Sequence, residues 1–190
     1  ETASLRVGVV GCGAFARHFI PLLQAHPWVA EVVLCDLDAD KLTLHVSGGE
    51  AMLTSALEAR ERAGRPEVAI VGVTVLTHLD LEDFRTLFAS ARSPEETVLE
   101  LARAARAAGL DGIVASAREL PAIRSELGRG LTIVTPGIRP PGAAADDQTR
   151  VVTPRRAVDD GADYIVVGRP IIAAPDPQEA CRAILDNMIS

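Results

Sequence analysis

Lysine is almost missing from this chain: of 19 basic residues in 190, only Lys41 is lysine, and the others are arginine. Any chemistry that needs an ammonium group to deliver a proton therefore has one candidate side chain. Aromatics are scarce at 3%, which leaves the core to Val, Ile, Leu and Ala. That is the composition of parallel α/β sheets covered on both faces. The three cysteines (Cys12, Cys35 and Cys181) are odd in number and show no C-x-x-C spacing, so neither a thiolate metal site nor a disulfide framework is expected. A reduced, cytoplasmic protein fits this usage. No apolar run approaches the ~18–20 residues that span a bilayer, no signal peptide opens the chain, and no membrane association is expected. The formal net charge is −7 with no basic stripe, so nucleic acid is not an expected partner. A small anionic ligand, which needs only a few local cations, remains open.

What is present is an alternation of β-rich and helical runs. The apolar runs Leu5–Gly11, Glu31–Asp36, Leu42–Val46, Glu67–Leu76, Asp111–Ser116, Leu131–Pro136 and Asp163–Pro170 read as seven strands. Helical patterns lie at 14–27, 49–64, 93–109, 117–128, 153–162 and in the C-terminal run from Asp176. Ser93, with Pro94 next and Glu96 three residues on, is a helix-start signature. Strand–helix alternation predicts a parallel sheet, open or closed into a barrel. One link breaks the rhythm. Only Leu37–Lys41 separate the second and third strands, whereas a parallel crossover needs at least ~10–12 residues. An antiparallel hairpin, one long bent strand or an omitted segment would each account for it.

Gly11-Cys12-Gly13-Ala14-Phe15-Ala16 follows the first strand and opens a helix, matching G-x-G-x-x-G/A. Gly11 suits the tight turn, Gly13 lets the backbone approach a pyrophosphate, and Ala16 permits close helix packing. Asp36 ends the second strand, placed to bond a ribose hydroxyl. Residues 1–38 resemble the Rossmann start of the NAD(P)-dependent oxidoreductases related to glucose–fructose oxidoreductase. The resemblance implies a βαβ piece and, as an alternative function, NAD(P) binding through Gly11, Gly13 and Asp36.

From residue 39 to residue 190 the segments "LTLHVSGGEAM", "VGVTVLTHLD", "GIVASARE", "VTPGIRPPGAAADDQTRVVTP" and "GADYIVVGRPI" follow one another in a known order. They resemble orotidine 5'-phosphate decarboxylase, a (β/α)8-barrel family of pyrimidine synthesis. The resemblance implies a TIM-barrel-like α/β fold, incomplete or distorted because seven strands do not close an eight-stranded barrel, with the N-terminal piece joined to it in one compact domain. It implies a site for orotidine or uridine monophosphate. Gly168 and Arg169 would hold the phosphate, Gln148 would bridge phosphate and base, and Arg139 would shape the same pocket. Thr77 would contact substrate, Ser116 the pyrimidine edge, and Pro136 the base. No cofactor and no metal are implied, and the family's dimeric state implies a homodimer. Thr77 and Ser116 also suit plain helix caps. His18, His26, His45 and His78 carry no partner signal and are assigned no catalytic role.

Decarboxylation in this family resembles electrostatic catalysis by a D-x-K-x-x-D array whose lysine protonates the ring carbon. That pattern does not occur here. The nearest stretch reads Asp36-x-Asp38-x-x-Lys41, with the two later charges exchanged, so Lys41, Asp36 and Asp38 are weak catalytic candidates. Three readings follow: a nucleotide site with decarboxylation weak or absent, an NAD(P)-binding module, or an inactive chimeric scaffold.

Overall fold

Every ladder among the described residues is parallel. The computed structural model describes residues 5–10, 29–35, 41–140 and 152–189. Its strands are β1 (Leu5–Val10), β2 (Val29–Cys35), β3 (Lys41–His45), β4 (Ala69–Val73), β5 (Gly112–Val114), β6 (Thr132–Thr135) and β7 (Tyr164–Ile165). The described helices are α1 (Glu50–Arg62), α2 (Leu81–Phe88), α3 (Pro94–Ala108), α4 (Leu120–Leu127), α5 (Pro154–Asp159), α6 (Arg169–Ile172) and α7 (Pro177–Ile189).

Strands β3 to β7 form one sheet in sequence order, while β1 and β2 form a second, two-stranded sheet. Order without a switch point is the winding of a (β/α) barrel, in which each crossover moves one strand in the same direction. A doubly wound Rossmann sheet would reverse its order. β1 also lies against β7, so the first strand meets the last. No ladder joins β2 to β3 among the described residues, and the ring is incomplete there, as expected from seven strands. The hairpin alternative for the second and third strands is corrected: β2 bonds β1 and β3 bonds β4, both in parallel. The fingerprint residues Gly11 and Gly13, the acids Asp36 and Asp38, and the first expected helix lie outside the described residues.

The core is aliphatic, as the shortage of aromatics requires. Val98, Ala102 and Ala105 of α3 are fully buried, spaced four and three residues apart on one face. They share a core with Ile70 of β4, Ile113 of β5 and Ile133 of β6. Gly72 of β4 is there because nothing larger fits: a Cβ would stand 2.5 Å from Val46 Cγ2 and 2.8 Å from Leu110 Cδ1. The start of α3 is the expected one. Ser93 Oγ accepts from Glu96 N at 3.1 Å and Glu96 Oε2 accepts from Ser93 N at 2.8 Å, a complete capping box with Pro94 at the first position.

One helix was not legible. α2 occupies a stretch expected to be connection. Asp80 Oδ1 accepts from both Glu82 N and Asp83 N at 2.8 Å, satisfying two of the donors that a helix N-terminus leaves open. Phe84 and Phe88, one turn apart, stack with centroids 4.9 Å apart. The cap and the i,i+4 pair were the available signals, obscured by the brevity of the element.

Candidate functional site

The most deeply buried polar side chains among the described residues gather in one place. The buried polar and charged residues described are Thr74, Thr77, Ser116, Glu119, Thr135 and Arg139. Thr74 and Thr77 follow β4, Ser116 and Glu119 follow β5, Thr135 ends β6 and Arg139 follows it. Burying such groups is costly unless they have partners, and here the cost is concentrated at the C-terminal ends of three adjacent strands. That is the end where barrels place their ligands.

Local structure explains each position. Thr74 Oγ1 donates to Val114 O at 2.7 Å, tying the exit of β4 to β5. The chain then runs through Val75 and Leu76 to Thr77, which is 8% exposed. Ser116, 1% exposed, closes a tight turn: its Oγ accepts from Arg118 N at 3.3 Å and its carbonyl accepts from Glu119 N at 3.1 Å. It is therefore a turn residue after β5 and not the cap of α4, whose cap position is Glu119. Beyond β6, Pro136 is half-buried. Arg139 is 7% exposed and its Nη1 donates to Ile138 O at 2.9 Å.

The long loop after β6 is closed at its base. Ile138 and Val152 form an isolated parallel bridge, and Arg139 N donates to Val152 O at 3.0 Å. Thr153 then caps α5, its Oγ1 accepting from Arg156 N at 3.3 Å. Gln148 lies within this loop but outside the described residues. Gly168 and Arg169 follow β7 and are exposed. Gly168 is the cap position of the one-turn α6, and Arg169 is its first residue.

The structure thus sets Thr77, Ser116, Pro136, Arg139, Gly168 and Arg169 beyond the same ends of four consecutive strands. Lys41 is elsewhere. It is the first residue of β3, paired with Ala69 at the start of β4, so its backbone lies at the opposite end of the sheet from Thr77. The four steps from Lys41 to His45 span roughly 13 Å at about 3.3 Å per residue.

Sequence reasoning missed Thr74, Glu119 and Thr135. Thr135 Oγ1 is buried and has no hydrogen-bond partner among the described residues. A hydroxyl or carboxyl just past an otherwise apolar strand, as in "VTVLT", "SARE" and "IVTP", was the signal. His45 and His78 are exposed. Cys181 is buried in the core, and burial pushes its thiol upward, which disfavours a nucleophilic role. No group of three or more metal-ligating side chains occurs among the described residues. No described helix is long and apolar enough to cross a membrane.

A sequentially wound parallel sheet with its buried polar residues beyond the strand ends defines a protein of (β/α)-barrel type. The chain belongs to the orotidine 5'-phosphate decarboxylase / HUMPS family, whose model matches residues 28–184. Orotidine 5'-phosphate decarboxylase from Moorella thermoacetica is 52% identical over 155 residues, covering 80% of this chain and 62% of that protein. The Nitrosococcus oceani protein of the same name is 46% identical over 168 residues, covering 88% of this chain and 70% of the relative. This chain therefore spans less than two thirds of the Moorella relative's length. Among solved structures, orotidine 5'-phosphate decarboxylase from Lactobacillus acidophilus shares the fold with a TM-score of 0.72 at 24% identity, covering 99% of this chain and 100% of that one. An uncharacterised conserved protein from Geobacillus kaustophilus gives a TM-score of 0.67, also at 24% identity, over 97% and 99% of the two chains.

Proposed function

We propose that this chain binds a pyrimidine nucleoside monophosphate, orotidine or uridine monophosphate, at the C-terminal ends of β4 to β7, and that decarboxylation is weak or absent. The observation that carries the reading is the gathering of buried polar residues at the ends of β4, β5 and β6, beside the exposed Gly168–Arg169 corner after β7. In this reading Arg169 supplies a charge-assisted fork to phosphate oxygens, and Gly168 lets its backbone approach them. Gln148 reaches from the long loop to phosphate and base. Arg139 braces that loop near its base, where its N–H meets Val152 O. Thr77 and Ser116 contact the sugar and the pyrimidine edge, and Pro136 packs against the base. The reaction calls for no cofactor. The homodimer and the cytoplasmic location belong to the same reading.

Weak catalysis follows from the lysine count. The single lysine begins β3 at the end of the sheet remote from these loops. A proton donor displaced by even ~1 Å can lose ~100-fold in rate. Titration with uridine monophosphate is the test. Saturable binding weakened by Arg169→Ala supports the reading, while no saturable binding, or binding indifferent to that change, refutes it.

One observation favours a second reading. β1 and β2 pair in parallel, Val7 with Val32 and Val10 with Cys35, across a connection long enough for a helix. That is the frame of a dinucleotide-binding βαβ unit, with Gly11, Gly13 and Asp36 as the contacts to NAD(P). Quenching of Trp28 fluorescence by nicotinamide cofactor would support it, and unchanged fluorescence and melting would dismiss it.

A further inference from the structure

A cleft of about 570 Å³ lies beside the proposed nucleotide site and shares none of Thr77, Ser116, Arg139 or Arg169. It is bounded by the β4–α2 connection, by α2, by the entry to α3, and by Arg118 in the turn after β5. Three arginines line it: Arg85, Arg92 and Arg118. Arg92 is engaged by Glu100 at 2.8 Å. Arg85 and Arg118 are exposed, and neither guanidinium has a carboxylate partner among the described residues. Of the two acids that line the cleft, Asp80 is committed to capping α2 through two N–H groups at 2.8 Å, which leaves Glu95 to oppose two free cations. The rest of the lining mixes Ser93 with the apolar Leu79, Leu81, Ala91 and Pro94, of which Leu81 is half exposed and Pro94 buried. Its volume is that of an ordinary small-molecule site.

We propose that this cleft is a second anion site, which takes a phosphorylated small molecule with its phosphate oxygens on Arg85 and Arg118 and its apolar body against Leu81 and Pro94. Guanidinium forks match phosphate geometry better than any other side chain. Arg85 and Arg118 are exposed, and pairing their guanidinium groups with a phosphate supplies the stronger, charge-assisted class of hydrogen bond. The cleft is also wired to the strand ends. Leu79 stands two residues beyond Thr77, and Arg118 two residues beyond Ser116. Insofar as the nucleotide reading holds, occupancy of the cleft restrains the two connections that present Thr77 and Ser116, and so alters nucleotide affinity.

The test uses inorganic phosphate and phenyl phosphate as probes in calorimetric titrations of the full chain carrying Arg169→Ala, which removes the other phosphate grip. One saturable phenyl phosphate site is expected, several-fold tighter than inorganic phosphate. It should weaken at least about tenfold when Arg85→Ala and Arg118→Ala are added, and at higher salt. No saturable uptake, equal affinity for the two probes, or affinity unchanged by the double substitution overturns the proposal. Arg85→Gln with Arg118→Gln, checked by circular dichroism, separates lost charge from lost fold: a folded glutamine pair must also weaken binding. A parallel uridine monophosphate titration of the chain with Arg169 intact keeps the two ideas apart: no nucleotide binding there refutes the nucleotide reading, while phenyl phosphate uptake by the Arg169→Ala chain leaves the cleft standing.

Discussion

Asp163 grips the neighbouring strand through Ile133: its Oδ2 accepts from Ile133 N at 2.7 Å and from Arg124 Nη2 at 2.5 Å. The same device occurs two strands earlier. Asp111 Oδ2 accepts from Ile70 N at 2.7 Å and from Arg60 Nη1 at 2.7 Å. In each case an aspartate just before one strand caps the entry of the strand before it and pairs with an arginine from a preceding helix. Both sit at the N-terminal end of the sheet, where barrel residues serve stability and not chemistry.

The two copies differ in burial, which orders their effects. Arg124 and Asp163 are 11% and 14% exposed, whereas Asp111 is 41% exposed. Removing one partner of a buried pair strands the other charge. Asp163→Ala is expected to cost about 3 kcal/mol and Asp111→Ala about 1 kcal/mol, read from urea midpoints at constant m. An equal or reversed ranking would show that burial does not set the difference.

Gly72→Ala should destabilise by about 1–3 kcal/mol, the usual cost of overpacking, because the added Cβ meets Val46 and Leu110 well inside contact distance. Gly130→Ala meets only Leu127 O at 3.9 Å and is expected to leave the melting temperature nearly unchanged. Thermal melts of the two variants compare crowding directly.

Glu126 is held below the ordinary carboxylate range, first by its hydrogen bond from Arg103 and then by that group's charge. A carboxylate whose folded value is depressed adds stability above its unfolded value and loses it as pH falls through the folded one. Glu126→Gln should therefore narrow the gap between stability at neutral pH and stability in acid, and parent and variant should converge at the acid end. Both partners are exposed, so high salt should shrink the effect. Urea midpoints across pH, at two salt concentrations, provide the check.

At the proposed nucleotide site, Arg169→Ala is expected to weaken uridine monophosphate binding by about 10- to 100-fold, the worth of a charge-assisted contact. Turnover of orotidine monophosphate should stay near the uncatalysed background, and Lys41→Met should leave it there. Substantial turnover abolished by Lys41→Met would place the ammonium group at the chemistry after all.

Much of this protein was determined by its sequence alone. The aliphatic strands, the Ser93-Pro94-Glu96 helix start and the "VTPGIRP" and "VVGRP" corners are local patterns, and local hydrogen bonding and turn chemistry decide such elements before the chain packs. The family follows from the same short stretches. Tertiary structure alone decided what depends on distance through space. It set β2 and β3 in different sheets, because strand pairing is settled by which edges meet. It buried Thr74, Glu119 and Thr135 at the C-terminal ends of β4, β5 and β6, and it put Lys41 at the other end of the sheet. A residue's type is written in the chain, but its neighbours across a parallel sheet come from crossovers of about a dozen residues or more, and no short pattern carries that information.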